Sequence, residues 1–248
     1  MLFEELDYQT TAIGELVLRR RTSPALGDEI IYEVTIDGEM LMSSTVNASE
    51  RALARLALEG RDDRPLDVLV GGLGLGWTAA AALEYSNVRK LVVVELLAPV
   101  ITWHRRRLVP LADTLLDDPR CVLAAGDFFE HVTQASSRQL YDAILLDIDH
   151  APDCLLHQRH GGFYSTEGLE NMARCLRPGG VFALWSAWKP QDAFFELLAS
   201  VFPFVQSHEV SFFNPHVNQN DSNWIIVAEG DCMKTATFDG RIREGDSV

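Results

Sequence analysis

The chain has 248 residues, 47% of them apolar, and a net charge of −15 from 21 basic and 36 acidic side chains. That length suits one large α/β domain, or one domain with a small appendage; that charge repels nucleic acid and attracts cations, and reads either as solubility or as a field for a cationic substrate such as a small amine. No apolar run approaches the roughly eighteen residues of a membrane span, and the acidic start MLFEELDYQTT lacks the basic-then-apolar layout of a secretory signal.

Residues 1 to about 46 read as strands. GELVLRR (14–20) and EIIYEVTI (29–36) carry β-branched or alternating apolar residues, and Asp37-Gly38 is a hairpin turn leading into EMLMSS. Three strands of this size leave open edges and little core of their own, which predicts pairing with a second copy as a homodimer. Asn47, with Glu50 at the third helical position, predicts the capped start of a helix over RALARLALEG that stops at Gly60. The polar, Pro-terminated RDDRP (61–65) reads as a linker. The expected organisation is an N-terminal hairpin domain over 1–60, a Rossmann-like domain over 61–230 and a flexible polar tail over 231–248.

From Leu66 the pattern becomes short apolar runs ending in Gly or an acid: LDVLVGG (66–72), KLVVVE (90–95), CVLAAGD (121–127) and YDAILLD (141–147). Such runs suit parallel strands covered on both faces. Between them WTAAAALEY, APVITWHRRRL and FFEHVTQA read as helices; EGLENMARCL stops at Arg177-Pro178-Gly179-Gly180 before the strand VFALWS. A helix around Ala193–Ser200 and strands near 204–212 and 224–228, the last opening at Asn223-Trp224, complete the series. Repeated βα units predict a doubly wound, mostly parallel sheet with ligands at the C-terminal ends of its strands. Trp77, Trp103, Phe182 and Phe194 lie on patterns of core packing.

Three strand ends carry the chemistry of a nucleoside site. Gly71-Gly72-Leu73-Gly74-Leu75-Gly76 follows the first strand and opens a helix, so Gly72, Gly74 and Gly76 allow a tight turn and close approach of backbone to ligand. Glu95 ends the next strand, where a carboxylate accepts from both hydroxyls of a ribose. Gly126-Asp127-Phe128 ends the third, placing Asp127 for an adenine amino group and Phe128 against the base. An NAD fingerprint fits less well, because its third glycine would fall on Trp77.

The fourth strand ends at Asp147, whose carboxylate faces the place of the reacting atoms and can hold or deprotonate an incoming amine. The alternative is a loop-capping Asp. The following segment holds Asp149, His150, Asp153, Cys154, His157 and His160 at spacings that match no metal-ligand motif, so no metal is expected. A mobile lid with His150 as a polar contact is the expectation there. The four cysteines, Cys121, Cys154, Cys175 and Cys232, form no C-x-x-C pair, which predicts free thiols in a reducing cytoplasm.

Together these residues resemble the spermidine synthase (polyamine aminopropyltransferase) family, a branch of the class I methyltransferase fold. The likeness runs from about 11 to 228: the hairpin at Asp37-Gly38, the helix from Glu50, Gly71 to Gly76, Val94-Glu95, Asp118-Pro119-Arg120, Gly126-Asp127, Asp147, Phe163-Tyr164-Ser165-Thr166-Glu167 and Leu176-Arg177-Pro178-Gly179-Gly180. The resemblance implies Glu95 on the nucleoside ribose, Asp127 at the adenine and Asp147 as the catalytic carboxylate. It also shows departures. The family loop G-G-G-D-G-G has an Asp, which helps hold the aminopropyl amine, where this chain has Gly74. The family's Tyr-His pair falls on Glu50-Arg51-Ala52, and its second loop carboxylate falls on His150. Gly72-Leu73-Gly74-Leu75-Gly76 matches instead the G-x-G-x-G of ordinary methyltransferases.

The expected activity is therefore transfer of an aminopropyl or methyl group from S-adenosylmethionine or its decarboxylated form to a small amine. A methyltransferase of a non-polyamine substrate and a non-catalytic nucleoside-binding homologue stay open beside it.

Overall fold

A computed structural model describes residues 2–61, 63–133, 140–215 and 217–230. The tail expected over 231–248, with Cys232, lies outside the described residues, as do Gln134 and Ala135 of the FFEHVTQA helix.

The N-terminal region is a four-stranded antiparallel sheet in the order β1(Phe3–Thr11), β2(Gly14–Thr22), β3(Ile30–Ile36), β4(Glu39–Ser43). The expectation of three strands misses β1, whose acidic, mostly exposed FEELDYQTT has little apolar signal. Nor does the sheet lack a core. Leu16, Leu18 and Val34 are buried in the same cluster as the main domain, and the buried indole of Trp103 donates to Asp7 in β1 at 2.6 Å.

Helix α1(Ala48–Leu58) follows. Asn47 stands at its N-cap but makes no capping hydrogen bond; its amide reaches back to the Ser44 carbonyl at 3.3 Å. The expected capping pair with Glu50 is therefore absent, which leaves Glu50 free to turn elsewhere. The helix ends as expected before Gly60, which takes a left-handed φ of 75°. It packs on the main sheet and on α2(Trp77–Leu83).

The main sheet has seven strands in the order β10(Phe204–Asn214), β11(Gln219–Glu229), β9(Leu176–Ser186), β8(Tyr141–Leu146), β5(Leu66–Gly71), β6(Val88–Glu95), β7(Cys121–Ala125). All pairings from β9 to β7 are parallel, and β11 runs antiparallel to both its neighbours. The chain leaves β5 toward β6 and β7, then returns to the other side of β5 as β8. That reversal opens a crevice between β5 and β8, the place for ligands in such sheets. Alternate residues bury on opposite faces. Val68, Val70, Ala143 and Leu145 pack toward α1 and α2, whereas Leu69, Ile144, Leu146 and Phe182 pack against α5(Phe128–Thr133), α6(Thr166–Ala173) and α7(Asp192–Ala199).

Three local details differ from expectation. After α3(Ala98–Arg105) a five-residue α4(Ala112–Leu116) intervenes, too short to show periodicity. Helix α6 stops at Ala173, and the strand begins at Leu176, running through Pro178-Gly179 as an irregularity against β8. The last strand starts at Gln219, ahead of Asn223-Trp224.

Candidate functional site

A cleft of about 350 Å³ opens at the C-terminal ends of β5, β6, β7 and β8. Its floor is the glycine loop and the residues just past each strand: Gly72 to Trp77, Val94 to Leu97, Asp127 to Phe129 and Asp147 to His150. The N-terminal sheet closes one side with Ile13, Leu41 and Met42, α1 adds Ser49 and Glu50, and the end of the main sheet adds Trp185, Phe212 and Asn223. All eight residues singled out from the sequence (Gly72, Gly74, Gly76, Glu95, Asp127, Phe128, Asp147 and His150) line this one cleft.

The loop is held by geometry that side chains would break. Gly72 has φ 93°, and a Cβ there would collide with the carbonyl oxygen of Asp147. Gly74 has φ 49°, and a Cβ there would stand 3.0 Å from the Met42 sulfur. The His104 ring, fully buried, donates through Nε2 to the Gly74 carbonyl at 2.9 Å, which leaves Nδ1 as a bare acceptor without a partner among the described residues. Burial holds His104 below its ordinary pKa, against the pull of that carbonyl, so it stays neutral.

Glu95 is buried, and its carboxylate is oriented by backbone. Oε2 accepts from Leu73 N–H at 2.9 Å and Oε1 from Leu97 N–H at 2.7 Å. Burial raises its pKa against the opposing effect of the amides of Leu97, Leu73, Gly74 and Leu96. Asp127 caps α5, accepting from Phe129 N–H at 2.9 Å, and pairs with Arg159 at 3.4 Å. The Phe128 ring is buried beneath Gly71, where a Cβ would come within 2.6 Å of it.

Asp147 accepts from the Thr78 hydroxyl at 2.8 Å. Burial pushes it up to about 6, against that hydrogen bond. Glu50, brought in by α1, accepts from the Ser49 hydroxyl at 2.9 Å; burial and then the charge of Asp147 push it up to about 7. Two carboxylates thus share one wall, and neither has a cation among the described residues.

His150 lines the cleft, and its carbonyl accepts from Ala187 N–H at 2.7 Å. The segment around it is tied down from within. Buried Asp149 accepts from His160 Nδ1 at 2.7 Å, Leu156 N–H at 2.8 Å and the Tyr164 hydroxyl at 3.0 Å. Asp153 accepts from Trp188 at 3.1 Å and Gln191 at 2.9 Å. These acids pin a loop, and among the described residues no group of His, Cys, Asp and Glu is placed to hold a metal ion. Asp118 and Arg120, part of the resemblance, are structural too: the guanidinium donates to the carbonyls of Leu83, Tyr85 and Val88, fixing the end of α2 to β7.

Sequence reasoning misses Glu50, Ser49, Met42 and Asn223 as cleft residues, because they arrive from elements outside the first four strand ends. The signal for Glu50 is that it occupies the place of the Tyr-His pair. Trp77, read as core, packs against the core and also lines the cleft; its buried indole N–H has no partner among the described residues.

A spermine/spermidine synthase domain model matches residues 39–214. Polyamine aminopropyltransferase 2 of Pseudomonas aeruginosa is 34% identical over 70% of this chain and 48% of its own length. Putrescine N-methyltransferase 2 of Nicotiana attenuata is 32% identical over 49% of this chain and 31% of its own length. The chain thus spans about half or less of these two curated relatives. The crystal structure of spermidine synthase from Thermotoga maritima superposes with a TM-score of 0.69 at 19% identity, covering 91% of this chain and 72% of that one.

Proposed function

Because the chain belongs to the spermine/spermidine synthase family, we propose that it transfers an alkyl group from a sulfonium donor of the S-adenosylmethionine type to a small amine. The observation that carries this reading is Asp147: a carboxylate without a cation among the described residues, at the end of β8, on the wall of a cleft whose other strand ends suit a nucleoside.

The residues present fit such a donor. Glu95 brings a backbone-oriented carboxylate to the cleft for a ribose diol, and Asp127 and Phe128 sit together for an adenine. When bound, a sulfonium donor supplies an electrophilic carbon and a neutral thioether as leaving group. The chain's part is to hold the amine in line with that carbon and to stabilise the positive charge the nitrogen gains as the carbon–nitrogen bond forms. Asp147 does both, with Thr78 fixing its orientation. An aliphatic amine has a pKa of about 10, so its neutral form must be favoured before attack; the expelled proton goes to solvent or to a cleft carboxylate.

Methyl rather than aminopropyl transfer is favoured by one feature. Where the family loop has its amine-gripping Asp, this chain has Gly74 in a left-handed conformation with Met42 above it. That end of the cleft is apolar and offers no anchor to an aminopropyl ammonium. Calorimetry with S-adenosylmethionine, its decarboxylated form and methylthioadenosine tests the choice. Preference for the carboxylated donor supports methyl transfer; preference for the decarboxylated one overturns it. Binding without turnover across an amine panel would leave a non-catalytic homologue.

The same reading takes a homodimer formed through the N-terminal sheet, supported by the exposed Phe3, Tyr8, Ile30 and Met40 on its strands. A monomer by light scattering at micromolar concentration removes it. The free thiols Cys121, Cys154 and Cys175 suit a cytoplasmic setting, and no described helix is long and apolar enough to cross a membrane.

A further inference from the structure

Every acid of the cleft except two is matched to donors of its own. Glu95 is held by backbone amides, Asp127 by the start of α5 and by Arg159, and Asp149 by His160, Tyr164 and Leu156. Glu50 has the Ser49 hydroxyl and its own backbone N–H, Asp147 the Thr78 hydroxyl, and neither has a charged donor among the described residues. Among the described residues that line the cleft there is no lysine or arginine. Two partly buried carboxylates beside one another, with no counter-charge among the described residues that line the cleft, are stable as a pair only with a proton or with a cation from outside.

The surrounding groups fix this pair in place. The Trp185 indole donates to Ser49 Oγ at 2.9 Å, and Ser49 Oγ lies 2.9 Å from both Asn223 Oδ1 and Glu50 Oε2. The start of α1 is thereby tied to β9 and β11, and Glu50 is aimed by that tie. Thr78, which orients Asp147, lies 3.3 Å from the Glu50 carbonyl, so one side chain bridges the two elements.

We infer that Glu50 selects the acceptor: with Asp147 it forms a seat of two carboxylates for one aliphatic ammonium centre, doing from α1 the work that the resemblance assigns to a Tyr-His pair. The inference rests on the reading of this cleft as an amine-alkylating site and names the residue on its acceptor side. Its chemistry demands a compact cation with a short apolar stem, because Leu41, Trp185 and Phe212 wall the same space. Glu50 is a binding residue, so its loss should act on acceptor affinity before it acts on the bond-making step.

The test uses the full chain saturated with methylthioadenosine, titrated in a calorimeter with n-butylamine, putrescine and n-butanol. Glu50→Gln should weaken both amines about tenfold or more, since a charge-assisted contact becomes a neutral one. Binding of n-butanol and of methylthioadenosine should stay within about twofold, and Glu50→Asp should recover part of the amine affinity. In turnover, the KM for the amine should rise more than kcat falls. Glu50→Gln should melt no lower than wild type, because it removes one of two like charges. Unchanged amine binding, parallel loss of amine, alcohol and nucleoside binding, or a lower melting temperature each overturns the inference. The two readings fail separately. A wild type that alkylates amines while Glu50→Gln does so with unaltered KM sinks the seat alone. A wild type that binds amines through Glu50 and alkylates none sinks the transfer reading alone.

Discussion

The two ends of the central sheet use the same residue types to opposite purpose. At the N-terminal ends of β5, β8 and β9, the buried Asp67 and Asp142 are enclosed by arginines. Asp67 pairs with Arg89 at 2.6 Å and Arg177 at 2.8 Å, and Asp142 pairs with Arg177 at 2.6 Å and Arg64 at 2.7 Å. Burial alone would raise Asp67, but the hydrogen bonds and charges of Arg89 and Arg177 outweigh it and hold its pKa below the usual range. At the C-terminal ends, Glu50 and Asp147 meet no arginine, and burial pushes them to about 7 and about 6. A carboxylate completed by the protein's own cations fastens strands together. One left incomplete at a cleft holds a proton more readily and is ready for a cation that arrives.

Substitutions at either end should separate these roles. The largest effect belongs to Asp147→Asn, which keeps size and one acceptor but loses the charge facing the nascent cation. Turnover should drop roughly a hundredfold to a thousandfold, about 2.7–4 kcal/mol, with nucleoside affinity nearly intact. Wild-type turnover, or outright unfolding, would make Asp147 a cap like its counterparts below. Next comes Asp142→Asn at the opposite end, which takes the partner of Arg64 and leaves Arg177 with Asp67 alone, and should cost about 1–3 kcal/mol of stability by denaturant titration. Donor affinity in the folded fraction should not change; if it does, the two ends are coupled.

Glu95→Gln is expected to weaken nucleoside binding by roughly 1.5–3 kcal/mol, since an amide offers one acceptor oxygen where the carboxylate offers two. Unchanged calorimetric affinity in a folded variant would move the ribose elsewhere. The smallest effect is a pH signature. Glu50 and Asp147 have raised pKa values in the fold, so the native state binds more protons than the unfolded chain between about pH 4 and pH 7. Their contribution to stability is therefore full below that window and declines as pH rises through it. Asp67, held low, behaves oppositely: its contribution is present above about pH 4 and is lost as pH falls further. The stability gained by Glu50→Gln over wild type should thus grow from pH 4 to pH 7, and Asp67→Asn should show no such growth. Parallel pH curves for Glu50→Gln and wild type would break the comparison.

What could be read along the chain follows from the range of each interaction. The glycine loop, Glu95, Asp127-Phe128 and Asp147 each lie at the end of a buried apolar run, and in a parallel sheet all such ends face one edge. Four local signals therefore converge on one cleft without knowledge of any contact. The Asp149 cluster looks alike in sequence to a ligand set, and only its donors, His160, Tyr164 and the Leu156 amide, reveal a pinned loop.

The sequence by itself determined the βα order, the glycine turn and the strand-end acids, because backbone sterics and burial periodicity act within a few residues. Tertiary structure decided what stands opposite them. It set Met42 over Gly74, carried β1 against Trp103, and released Glu50 from a capping role into the cleft beside Asp147. Those placements depend on packing between elements as much as 174 residues apart, such as Ser49 against Asn223, and no local pattern encodes which carboxylate will meet an arginine and which will meet none.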